Sequence, residues 1–78
     1  MYSLYLQKCD KYDLVGHYEE EKPMHDYISS YQKSKGFESH YVRMFNEEIA
    51  GQLMTCVDFG SWSEFFYIYP VLEWMKPI

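Results

Sequence analysis

Hydrophobic and polar positions alternate from Tyr2 to Lys8, with Tyr2, Leu4 and Leu6 on one side and Ser3, Tyr5 and Gln7 on the other. Period two marks a strand buried on one face. Asp10-Lys11 supplies a turn, and Tyr12 to Tyr18 reads as the hairpin partner. The period changes after Glu19-Glu20-Glu21-Lys22-Pro23. Met24, Tyr27, Ile28 and Tyr31 then recur at i, i+3, i+4 and i+7, which predicts a helix over residues 23–35. Proline suits the first helical position, and the acids around it complement the positive end of the helix dipole. Lys33 and Lys35 fall at the opposite end, Gly36 suits a left-handed cap, and Phe37 can fold back onto the last turn.

Alternation returns from Ser39 to Phe45, setting Tyr41, Arg43 and Phe45 against His40, Val42 and Met44. Asn46 to Gly51 reads as a polar connection. Leu53, Thr55, Val57 and Phe59 then alternate with Met54, Cys56 and Asp58, completing a second hairpin. The next stretch, DFGSWSEFFYIY at 58–69, carries two signals. Ser61 and Glu64 have the spacing of a helix capping box, whereas Phe65 to Tyr69 are all strand formers and Pro70 ends the run. The strand is the preferred reading. Val71 to Ile78 is apolar, contains Trp74, and is expected to pack down or be held by a partner. The elements predict a single α+β domain over 1–78, a small antiparallel sheet in the order β-β-α-β-β-β with one helix packed on one face.

Composition sharpens this in one respect. Nine Tyr, five Phe and two Trp stand against five Leu, four Ile and four Val. Each ring offers roughly 150–250 Å² for burial, and one helix covers only one sheet face. Some rings are therefore expected to face water or a partner. The net charge of −5 argues against direct binding to nucleic acid or an anionic membrane and permits a partner with a basic groove. No run of about 18 apolar residues that could span a bilayer occurs, and the N-terminus lacks the basic and apolar regions of a secretion signal. A cytoplasmic location follows as an expectation. Cys9 and Cys56 are each expected within a strand; a disulfide between them is open, with two buried thiols preferred.

Candidate chemistry thins out on inspection. Asp58-Phe59-Gly60 has the letters of a kinase magnesium motif without the glycine-rich loop, strand lysine or catalytic loop that the chemistry needs. It reads as a strand ending in a glycine turn. His17, His25, His40, Cys9 and Cys56 match no ligand spacing, so no metal or other cofactor is expected. A Cys56–His40 pair lacks an orienting third group, and Asp58 with Glu64 lacks a sugar cleft. Their bland reading is charge that keeps an aromatic edge strand soluble. Two features remain: the acids, dense at 10–26 and repeated at Glu47-Glu48 in the second hairpin's loop, and the surplus of aromatic rings.

Together they predict a non-enzymatic binding protein. Glu19, Glu20, Glu21, Glu47 and Glu48 would supply charge, in the manner of a nucleic-acid mimic. Trp62, Phe66, Tyr67, Tyr69 and Trp74 would supply apolar anchors. The alternative is a structural or regulatory homo-oligomer, a homodimer for instance, that buries its aromatic face against its own copy. From Tyr2 through DLVGHY, the helix, SHYVRMF and DFGSWSEFFYIY, the chain resembles small proteins carried by phages and plasmids of Gram-positive bacteria. That resemblance implies an inhibitor of a host-defence nuclease, of the anti-CRISPR kind. It carries no residue-level site.

Overall fold

A computed structural model describes residues 1–37 and 42–76. Five strands and one helix follow in the order β1 (Tyr2–Lys8), β2 (Lys11–Tyr18), α1 (Glu21–Ser34), β3 (Arg43–Ile49), β4 (Gln52–Asp58) and β5 (Glu64–Tyr69), with a short 3-10 turn at Glu73–Met75. The strands form one antiparallel sheet ordered β2-β1-β5-β4-β3. This is the expected α+β class with a single helix on the sheet. The aromatic strand β5, expected at an edge, lies at the centre, because β1 pairs with it on the side away from β2. Among the described residues no helix is long and apolar enough to cross a membrane.

Local signals account for most of the elements. Helix α1 begins two residues earlier than the pattern predicted, which puts Pro23 at its third position, still within the first turn where N–H groups lack helical partners. It ends as expected. Gly36 has φ +81°, its N–H donates to the Lys33 carbonyl, and the Phe37 N–H donates to the Gln32 carbonyl, closing a Schellman motif. The β3–β4 turn holds only Ala50 and Gly51, both at positive φ, so residues 46–49 are strand where a loop was expected. Residues 38–41, including His40 and Tyr41 of the predicted strand, lie outside the described region. Opposite Leu4 and Tyr5 of β1 the register slips, which leaves Val15 of β2 as an extra residue packed against the core.

One face of the sheet is covered. Leu4 and Leu6 of β1, Phe66 and Ile68 of β5 and Val57 of β4 meet Met24 and Ile28 from the helix, with Phe59 and Leu72 completing a cluster that excludes water. Tyr31 inserts its ring edge-on between Phe59 and Phe66, with centroids 5.6 and 5.3 Å away. After the cis Tyr69–Pro70 bond the chain folds under the same face: Val71 and Leu72 are buried. Two polar side chains pin this segment. Thr55 is fully buried; its Oγ1 donates to Asn46 Oδ1 at 3.1 Å, and the same Thr55 Oγ1 accepts from the Leu72 N–H at 3.4 Å. Asn46 Nδ2 in turn donates to the Met75 carbonyl at 2.8 Å.

Candidate functional site

The same strands present their other side chains on the opposite face, and no described element lies over it. Register arranges them in three rows. The central row runs across all five strands as Leu14, Tyr5, Tyr67, Cys56 and Phe45. Above it lie Tyr12, Gln7, Phe65, Asp58 and Arg43; below it lie His17, Ser3, Tyr69, Met54 and Glu47. The strand period of two forces this division, since neighbours along a strand point to opposite faces. Most of these side chains are apolar. The edges of the face are the more exposed: Leu14 is 51% accessible and Phe45 43%, against 5% for Tyr67 and 1% for Cys56 near the middle.

Polar groups on this face are mostly paired with one another. Arg43 Nη2 donates to Asp58 Oδ2 at 2.7 Å, and the guanidinium, with help from the Gly60 N–H, holds the Asp58 carboxyl below its ordinary range. Burial pushes the Cys56 thiol up to about 11, so it stays protonated at neutral pH and is a poor nucleophile. The Tyr67 phenol is raised as well, first by burial and then by Cys56 and Glu47, whose Oε2 accepts its hydrogen bond at 3.4 Å. Ser3 Oγ and His17 Nδ1 lie 2.8 Å apart in the open. Glu47 is the one carboxylate of the three rows without a cation beside it among the described residues. Both thiols are free, with Cys56 buried as expected but Cys9 exposed, because its positive φ places it in the β1–β2 turn. Among the described residues no enclosed pocket forms, and no group of three metal-ligating side chains gathers.

The residues expected to bind a partner fall into separate places. Phe66 is fully buried beneath the helix, so it is core and cannot touch a partner without unfolding. Tyr67 lies in the middle of the open face. Trp62 stands 97% exposed in the β4–β5 connection, at the end of the sheet where Lys8 faces Glu64. The opposite end carries the rest. Glu19 and Glu20 follow Tyr18, and Tyr69 closes β5 opposite Ser3. Trp74 donates its indole N–H to Glu21 Oε1 at 2.9 Å, beside His25 Nε2 at 3.3 Å. Glu47 and Glu48 belong to strand β3 rather than a loop, so they point to opposite faces.

Charge follows the same division. The end with Trp62 gathers Lys8, Lys11, Lys33, Lys35 and Arg43 against Asp10, Asp13, Asp58 and Glu64. Of the lysines and arginine among the described residues, the other end holds Lys22 and Lys76, set against Glu19, Glu20, Glu21, Asp26, Glu47, Glu48 and Glu73. Asp58 and Glu64, weighed in the sequence as a carboxylate pair, are on opposite faces, with Glu64 accepting from Tyr31 Oη at 2.6 Å on the helix side. Sequence reasoning missed Tyr5, Tyr12, Leu14, Phe45, Met54 and Phe65 as members of one surface. The signal was present in the phase of each strand: Phe65, Tyr67 and Tyr69 share a face that Phe66 and Ile68 do not.

No family model matches the chain, and neither does any curated protein or solved structure.

Proposed function

We propose that this chain is a non-enzymatic binding protein that docks its acidic end on a basic surface of a protein partner. The observation that carries this is the concentration of seven acids against two lysines at one end, beside Trp74 at 65% exposure and Tyr69 at 40%. Carboxylates in this number accelerate encounter with a basic groove and set its specificity, while an exposed indole and phenol supply the apolar contact that holds the complex. A surface built to receive phosphates is the natural counterpart, so the reading favours a nucleic-acid-handling enzyme, and specifically a host nuclease blocked by the chain. The phage-like resemblance of the sequence agrees with that class. Two free thiols suit the reducing cytoplasm of a bacterial host.

The test is a photo-crosslinker placed at position 74, and separately at position 62, in lysate of a Gram-positive host. Position 74 is expected to capture a basic protein, with capture falling steeply as salt rises and falling again when Glu19 and Glu20 are replaced by Lys. The purified partner should then lose nucleic-acid cleavage when the chain is added. Capture indifferent to salt and to the charge reversals, or a captured protein without a basic surface, would sink the proposal.

A further inference from the structure

The open face of the sheet asks for an occupant of its own extent. Five strands about 4.8 Å apart and seven residues long at about 3.3 Å each give a face of roughly 24 by 23 Å, or about 550 Å² in projection. Its corrugated accessible surface is larger than that projection. A specific interface buries about 800 Å² per partner, so the whole face must be used. A docked helix, about 10–12 Å across, would leave half of it wet. A second copy of the same face matches it in width, length and apolar character.

Charge selects the same occupant. Arg43 and Asp58 neutralise each other, and Glu47 is left as the single uncompensated acid of the three rows. Such a face has little to offer a cluster of lysines. It does complement itself. A two-fold axis lying in the interface and running across the strands would set the central row on its own copy, with Tyr67 over Tyr67 at the axis. The same rotation exchanges the upper and lower rows. Arg43 of each chain then lies over the side of β3 that carries Glu47 of the other. The rotation that keeps strands parallel instead would stack the two acidic ends about 10 Å apart, a separation comparable to the Debye length in physiological salt.

We infer that the open sheet face is the interface of a homodimer in which two copies stack antiparallel, pairing Arg43 with Glu47 of the second copy on both sides. The acidic end stays outside this contact at Glu19, Glu20, Glu21 and Trp74, while Glu47 and Tyr69, which border both surfaces, pass into it. The dimer would therefore present two such ends pointing in opposite directions, each holding a partner through Trp74.

The experiment is solution mass by light scattering and sedimentation from micromolar to millimolar chain. The wild type is expected near 19 kDa, twice the 9.5 kDa of one chain. Phe45→Glu, at an exposed edge position, should drop the mass to that of the monomer while circular dichroism and thermal melting keep a folded chain. Leu14→Glu, at the other edge, should do the same. Arg43→Glu alone and Glu47→Arg alone should each give monomer, and the double swap should restore the dimer. A wild type that stays monomeric throughout overturns the inference, as does a dimer indifferent to Phe45→Glu and Leu14→Glu. A double swap that is folded yet monomeric overturns the antiparallel pairing. None of these outcomes bears on capture at position 74, which is read from a different surface.

Discussion

The two faces of this sheet are built from the same five strands and from similar residues, yet they have opposite fates. On β5, Phe66 and Ile68 are completely buried, while their chain neighbours Phe65 and Tyr69 keep contact with water. The difference is what lies above. Helix α1 and residues 71–76 cover one face and turn its rings into a cluster with Phe59 and Phe66 centroids 5.3 Å apart. The other face has rings that touch only within the sheet, as Tyr12 and Tyr67 do at 5.4 Å. An aromatic side chain is therefore covered by the helix or left on the open face according to its parity along the strand, and Tyr67 on the open face is closed off to 5% by its neighbours within the sheet. Its chemical type does not decide.

The sharpest way to break the comparison is to remove one ring from each face. Phe66→Ala should cost about 3–5 kcal/mol, because it opens a cavity among fully buried neighbours. Phe45→Ala on the open face should cost under about 1 kcal/mol in the monomer, since water already reaches that ring. Urea denaturation of the two variants measures both, and equal losses would erase the distinction between the faces.

Thr55→Val tests how the covered face holds its terminal segment. It keeps the shape and removes the hydroxyl that bridges Asn46 Oδ1 and the Leu72 N–H, so a loss of about 1–3 kcal/mol is expected. Amide exchange at Leu72 should quicken in the same variant. Unchanged exchange there would mean that apolar packing of Val71 and Leu72 alone secures the segment.

Alkaline pH bears on both faces together. Cys56 and Tyr67 on the open side and Tyr31 on the covered side all ionise less readily when folded, chiefly because they are buried. Their folded values lie above the unfolded ones, so the stability they contribute is complete below the unfolded values of 9.0 for the thiol and 10.0 for the phenols and is lost as pH rises beyond them. Melting temperature should be flat from neutrality to about pH 8.5 and fall steeply above it. Tyr31→Phe should soften that fall.

The elements were largely legible because each carried its own local signal. The alternation of β1 and β4, the i, i+3, i+4 face of α1 and the glycine at its end all act over a few residues. Ser61 shows how such a signal can point two ways. Its hydroxyl accepts from the Glu64 N–H at 3.1 Å, the bond its spacing suggested, but it caps a turn leading into a strand. The β3–β4 turn was hidden for a related reason: Ala50-Gly51 lacks the Asn-Gly or Asp-Gly letters of a two-residue hairpin, so the polar residues before it looked like loop. On an edge strand those residues can face water without breaking the pairing.

The candidate surfaces were legible only in part. Glu19, Glu20, Glu21, Tyr69 and Trp74 do fall at one end, but Trp62 lies at the other and Phe66 is sealed in the core. What the sequence by itself determined was the period of each segment, the surplus of aromatic rings over what one helix can cover, and the sign of the charge. Only the tertiary structure decided that β5 is central, which parity of each strand lies under the helix, and that the acids collect at one end. Periodicity is set by neighbours two to four residues apart. The pairing of β1 with β5 joins residues some sixty positions apart, as in Leu4 against Ile68, and no local pattern encodes which strands will meet.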